Sequence, residues 1–130
     1  MEQALRRAVQ HGVIVVGVTG NDGQAQVSYP GKFSSVNAVS ATDSNGRLAK
    51  FSNYGNEVLF AAPGHNIAAL VPGGGVATRS GTSFAAPHVA SALALILSAN
   101  PSITAAQAVA VLEETAVEGA RGRIASTVTA

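Results

Sequence analysis

Gly81-Thr82-Ser83-Phe84-Ala85-Ala86-Pro87-His88-Val89-Ala90 is the stretch on which the reading of this chain turns. It puts two hydroxyls where a turn runs into the apolar residues 89–97, interrupted only by Ser91. A helix start leaves backbone N–H groups without intrahelical acceptors and carries the positive end of the macrodipole. A serine oxygen placed there can attack a carbonyl carbon while nearby N–H groups receive the developing negative charge. A plainer reading is open as well: Thr82 or Ser83 acts as an N-cap, a role that helix starts favour. Pro87 is tolerable only near such a start, where its absent N–H forfeits little. His88, five positions beyond Ser83 and more than a turn away, reads as a packing residue rather than a base.

Upstream, Leu5, Ala8 and Val9 recur at helical spacing within residues 2–10, and His11-Gly12 supplies the stop. Residues 13–18 are β-branched except for Gly17, as expected of a parallel strand buried on both faces. Residues 36–41 and 58–62 read as two further short strands, with Asn45-Gly46 between them as a hairpin-type turn signal. Residues 67–71 and 76–78 flank Pro72-Gly73-Gly74-Gly75 and read as another hairpin. Helix is expected over residues 83–99, apolar nearly all round: a helix of that kind needs cover on most sides, and these residues offer little protein to surround it. Asn100-Pro101 breaks it, and Ser102 or Thr104 starts a second helix running to about Thr115. The fold class is α/β: a few mostly parallel strands with flanking helices.

The segment around Ser83 resembles the nucleophile segment of subtilisin-like serine peptidases, Gly-Thr-Ser-x-Ala-x-Pro-His-Val-Ala. Val13-Ile14-Val15-Val16 followed by Thr19-Gly20-Asn21-Asp22-Gly23 is similar to that family's strand and asparagine loop. Tyr29-Pro30-Gly31, Ala38-Val39-Ser40-Ala41-Thr42-Asp43, Phe51-Ser52-Asn53-Tyr54-Gly55 and Ala61-Ala62-Pro63-Gly64 follow in the family's order. Gly122-Arg123-Ile124 resembles the opening of its last helix, so the likeness covers nearly the whole chain. It implies a partial subtilisin-like fold, with residues 1–130 as the C-terminal part of a catalytic domain. It also implies that Ser83 is the nucleophile of peptide-bond hydrolysis and that Asn21 donates its side-chain amide to the oxyanion, beside the N–H of Ser83. Asparagine suits that role because its amide donates without carrying a charge. Val18, Thr19 and Gly20 match a stretch that lines the pocket beside the scissile bond, where an extended peptide pairs with backbone. With Thr82 they make up the expected substrate-binding set. The Tyr29-Pro30 bond falls where the family can carry a cis proline.

The family's aspartate motif (Asp-Thr/Ser-Gly) and histidine motif (His-Gly-Thr-His) have no counterpart in these residues, so a complementary N-terminal half is an expected partner. His11 and His65 stand in positions variable in the family, and no acid lies beside either in a triad order. Without a base Ser83 is a weak nucleophile, and the chain alone is expected to be a poor peptidase. Asn21-Asp22-Gly23 also reads as a simple turn after a strand. A non-catalytic peptide-binding or structural remnant of the fold is the alternative function. Departures from the family pattern are Val18-Thr19 in place of small residues and Ser91 in place of glycine.

Composition narrows the field. The 130 residues suffice for one domain or part of one. Only 12% are charged, against about 25% in soluble domains, which suits a piece of a larger fold. Exposed apolar surface and self-association are the corollary. The eight basic residues are scattered and aromatics are sparse, so no nucleic-acid surface is expected. No cysteine is present, which excludes thiol catalysis and disulfides. The apolar run is shorter than a bilayer span, and the N-terminal residues lack a signal pattern; the family is often secreted, and the compartment is left open. Gly17-Val18-Thr19-Gly20-Asn21 misses dinucleotide-loop spacing. No cluster has metal-ligand spacing, so no cofactor is assigned, although the family often carries structural calcium.

Overall fold

The computed structural model describes residues 1–117. Element order is α1 (Glu2–Gln10), β1 (Val16–Val18), β2 (Asn37–Thr42), β3 (Val58–Pro63), β4 (Ile67–Leu70), β5 (Val76–Arg79), α2 (Thr82–Ala99) and α3 (Ala105–Thr115). Strands β1, β2 and β3 form a parallel sheet in that order. The family-like segment at Gly122-Arg123-Ile124 lies outside the described residues.

β2 is the centre of the sheet and its residues 38–42 are all buried, as expected for a parallel strand covered on both faces. α2 packs across all three strands and against α3. Val39, Ala41, Phe60, Ala62, Ala85, Val89, Leu93, Ala108 and Leu112 make one apolar cluster between them. Small side chains let the helix come close. A Cβ placed on Gly64 would lie 2.8 Å from the Gly81 carbonyl oxygen and 2.6 Å from Ala41 Cβ. That contact lets the Gly81 N–H donate to the Gly64 carbonyl at 2.8 Å, joining the end of β3 to the entry of α2.

Three expectations need correction. Residues 13–15 are not strand: β1 begins at Val16, although Val15 still accepts from the Asn37 N–H at 2.9 Å. The Asn45-Gly46 turn does not pair β2 with β3, which are parallel. It closes a local reversal in their crossover, bridging Thr42 and Leu48 with the Asp43 carboxylate accepting from the N–H groups of Asn45 and Arg47. Those two bonds, that to Arg47 foremost, hold the Asp43 carboxyl below its ordinary range.

The third correction concerns α2. It buries a single stripe, Thr82, Ala85, Val89 and Leu93, rather than most of its circumference. Leu95 is 71% exposed, and Ser91 is exposed as well. At 18 residues with a mean hydropathy of 1.4, α2 has the length and apolarity of a membrane span; the run over residues 89–97 understated this, because Thr82 to His88 extend the helix. α1 is amphipathic yet buries none of its residues. The hairpin β4–β5 forms a separate antiparallel pair, and the Tyr29-Pro30 bond is cis, as expected.

α3 starts with a capping box. Thr104 Oγ1 accepts from the Gln107 N–H and the Gln107 side chain accepts from the Thr104 N–H. Thr104→Ala removes one half of that exchange and is expected to cost about 1 kcal/mol, read as a lower urea midpoint at unchanged slope.

Candidate active site

Asn21 lies in the loop after β1 and Ser83 in the first turn of α2. Thr82 joins them. Its N–H donates to Asn21 Oδ1 at 2.8 Å and its hydroxyl donates to the same oxygen at 3.0 Å. With Oδ1 bound on the α2 side, the planar carboxamide has its Nδ2 left to offer. That nitrogen and Ser83 Oγ flank Gly81 together: a Cβ built on Gly81 would be 3.2 Å from Ser83 Oγ and 3.8 Å from Asn21 Nδ2.

The N-cap of α2 is Gly81, without a side-chain capping bond. Neither hydroxyl is spent as a cap, which corrects the plainer reading of this stretch. Thr82 is fully buried and Ser83 exposed. The Thr82 N–H is taken by Asn21 and the Phe84 N–H by the Gly81 carbonyl at 3.0 Å. Among the described residues, the Ser83 N–H has no acceptor, and neither Ser83 Oγ nor Asn21 Nδ2 has a partner. Two uncommitted N–H donors therefore sit beside an uncommitted hydroxyl at the positive end of a helix. Such a grouping can hold a carbonyl oxygen as it gains charge.

The other expected site residues divide. Thr19 is fully buried; its N–H donates to the Val39 carbonyl, its carbonyl accepts from the Ser28 N–H, and its hydroxyl lies 3.4 Å from Ser40 Oγ. Its side chain is part of the interior and offers no wall to a pocket. Val18 and Gly20 are half-buried. Gly20 has a φ of 110°, and a Cβ there would collide with the side chains of Asn53 and Ser28. Only glycine satisfies both demands.

The three histidines are engaged elsewhere. Nδ1 of His11 lies 2.8 Å from the Arg7 carbonyl oxygen and that of His88 lies 2.8 Å from the Phe84 carbonyl oxygen. The His65 ring lies against Phe51, with centroids 6.1 Å apart. No hydrogen bond joins a histidine to Ser83 among the described residues. Nor do three or more His, Asp or Glu side chains gather there as a metal would require.

The loop after β1 and the entry of α2 thus bring an asparagine and a serine together, and residues 1–128 match the model of the subtilase family. The chain belongs to that family. It is 45% identical over 102 residues to subtilisin BL of Lederbergia lenta, a match covering 78% of this chain and 38% of the relative. It is equally identical over 104 residues to a thermostable alkaline protease of Halalkalibacterium halodurans, covering 80% of this chain and 29% of that one. Among solved structures, a protease of Pseudoalteromonas arctica superposes with a TM-score of 0.90 at 28% identity, over 98% of this chain and 43% of its own. The self-cleaved protease domain of PatA gives 0.89 at 32%, over 98% and 51%. The chain thus spans about half or less of the relatives it matches.

The sequence reading missed Asn53, which is 2% exposed and bonded throughout the Asn21 loop. Its signal was present in Phe51-Ser52-Asn53-Tyr54-Gly55, a polar pair in an otherwise apolar setting, but the partners are set by tertiary contact.

Thr82→Val keeps the shape and the N–H bond while deleting the hydroxyl bond to Asn21. It is expected to lower stability by about 0.5–1.5 kcal/mol, with helicity by circular dichroism unchanged before the transition.

Proposed function

We propose that the chain is the C-terminal part of a serine endopeptidase domain and that Ser83 is the nucleophile that attacks the substrate's peptide carbonyl. The Ser83 N–H and Asn21 Nδ2 receive the oxyanion, and Val18 and Gly20 contribute backbone and surface beside the scissile bond. An aspartate and a histidine from a complementary N-terminal segment complete the triad; the histidine, oriented by the aspartate, takes the Ser83 proton and returns it to the leaving amine. The observation that carries this reading is the meeting of Ser83 Oγ and Asn21 Nδ2 at Gly81, with no partner for either among the described residues.

Surface left uncovered supports a completing segment. Among the described residues, strand β1 has a neighbour on one side only. Val15 and Thr19 bond to β2, so the alternate residues Val16 and Val18 turn their backbone groups to the open side. A groove of about 320 Å³ lined by Val9, Val13, Ile14, Ala106 and Val109 runs nearby, and α2 presents Leu95. An open strand edge beside apolar surface invites pairing. The same surface makes self-association the expected behaviour of the chain alone. Leu95→Glu is expected to move its sedimentation toward the monomer.

A fluorophosphonate probe tests the chemistry. Labelling of Ser83 is expected to be slow in the chain alone, fast after addition of a subtilase N-terminal segment bearing the Asp and His motifs, and absent in Ser83→Ala. Fast labelling of the chain alone would overturn the need for an outside base. An associated complex that binds peptide but never labels would favour a non-catalytic peptide-binding protein.

A further inference from the structure

We propose that Asn53 is the positioning residue for Asn21, gripping the main chain on both sides of it. The proposal rests on the reading of Asn21 as an oxyanion donor. Asn53 touches neither substrate nor Ser83. It acts by fixing where the Asn21 carboxamide starts from.

The grip is made of four kinds of bond. The Asn53 N–H donates to the carbonyl of Gly20, the residue before Asn21, at 2.9 Å. Asn53 Oδ1 accepts from the N–H of Asp22, the residue after it, at 2.8 Å, and from that of Gln24 at 3.1 Å. Asn53 Nδ2 donates to Asp22 Oδ2 at 3.2 Å and to Ser28 Oγ at 3.4 Å. Adjoining residues continue the pairing, for the Gly23 N–H donates to the Phe51 carbonyl and the Tyr54 N–H to the Gln24 carbonyl.

Those bonds are referenced to the buried strand β2. Ser40 Oγ donates to the Asn53 carbonyl at 2.9 Å, and the Ala41 N–H donates to Ser52 Oγ at 2.9 Å. Ser40, Ser52 and Asn53 are each 2% exposed or less. Asn21 by contrast is exposed, and its own side chain is held only through Oδ1. An exposed donor contributes most when it is already aimed before charge develops. The two flanking peptides fix where the Asn21 side chain starts, and Thr82 sets how its carboxamide is turned.

Asparagine alone among the common side chains fits the position. The site needs one oxygen to accept from two N–H groups and, at the same reach, a donor for a carboxylate and a hydroxyl. Aspartate supplies no donor and sets a second negative charge against Asp22; serine has one oxygen only. The cradle also requires the glycine at position 20, because a Cβ there would strike Asn53 Nδ2.

The test begins with the chain alone, by NMR. In Asn53→Ala the Asp22 and Gln24 amides are expected to exchange more than about tenfold faster, and the Asn21 carboxamide to gain nanosecond mobility, while β2 and α2 amides keep their protection. Asn53→Asp should behave likewise, and Asn53→Asp combined with Asp22→Asn should restore Asn21 order by moving the donor to the other partner. An Asn21 carboxamide unchanged in Asn53→Ala would overturn the proposal. So would one loosened only together with β2, or a swapped pair that restores stability without restoring Asn21. If Asn53→Ala fails to fold, the swapped pair decides by the same readout.

In the complemented enzyme Asn53→Ala is expected to lower kcat with KM little changed, and to add no further loss in an Asn21→Ala background. Additive losses would overturn the proposal. An Asn21→Ala variant with full kcat would instead remove the oxyanion reading, and the NMR result would still report whether Asn53 orders the loop.

Discussion

A single side-chain oxygen, Asn21 Oδ1, holds together two parts of the chain separated by 61 positions. Both bonds to it come from Thr82, one from the main chain and one from the hydroxyl. Closing a loop of that length costs conformational entropy that two hydrogen bonds alone do not repay. The core beneath does so: Val39, Phe60, Ala85 and Val89 are fully buried where α2 crosses the sheet. The polar clasp then has a narrower task. It decides which end of the carboxamide faces the helix and which end faces outward.

Orientation propagates from there through small residues. Gly64 and Gly81 meet backbone to backbone, and Ala41, Ala62 and Ala85 pack without bulk between helix and sheet. Close approach of α2 places Ser83 over the strand ends. The same economy explains the low share of charge in the sequence: the interior is built from short apolar side chains, and much of the outer helix surface is apolar too. Leu95 on α2 is among the large apolar side chains left exposed among the described residues.

Much of this was legible beforehand. The extents of α1 and α2, the hairpin around Pro72-Gly73-Gly74-Gly75 and the α/β class followed from periodicity and turn residues, because those signals are local. Helix starts were less legible: the hydroxyls of Thr82 and Ser83 looked like caps, yet Gly81 takes the cap position and the hydroxyls are left for other partners. The β-branched run at residues 13–18 overstated β1, since pairing, not propensity, ends a strand and β2 reaches only from Asn37. Burial of α2 was overestimated because an all-apolar helix says what could be covered, not what is present to cover it. Thr19 was read as pocket lining from its place in a motif, and its hydroxyl instead turns to Ser40. Asn53 escaped notice for the opposite reason: a lone asparagine in a loop has many ordinary explanations, and its significance lies wholly in partners some thirty positions away.

The β4–β5 hairpin stands outside these couplings. Among the described residues its strands pair only with each other, its tip residues Leu70 and Val76 are largely exposed, and its base is clasped where the Asn66 N–H donates to Ser80 Oγ at 2.9 Å. Elongating or exchanging the Gly73-Gly74-Gly75 tip would leave the sheet and the α2 entry untouched. Evolution or an engineer thus has a free-standing platform two residues upstream of the Thr82 clasp, on which recognition loops of arbitrary length can be grafted.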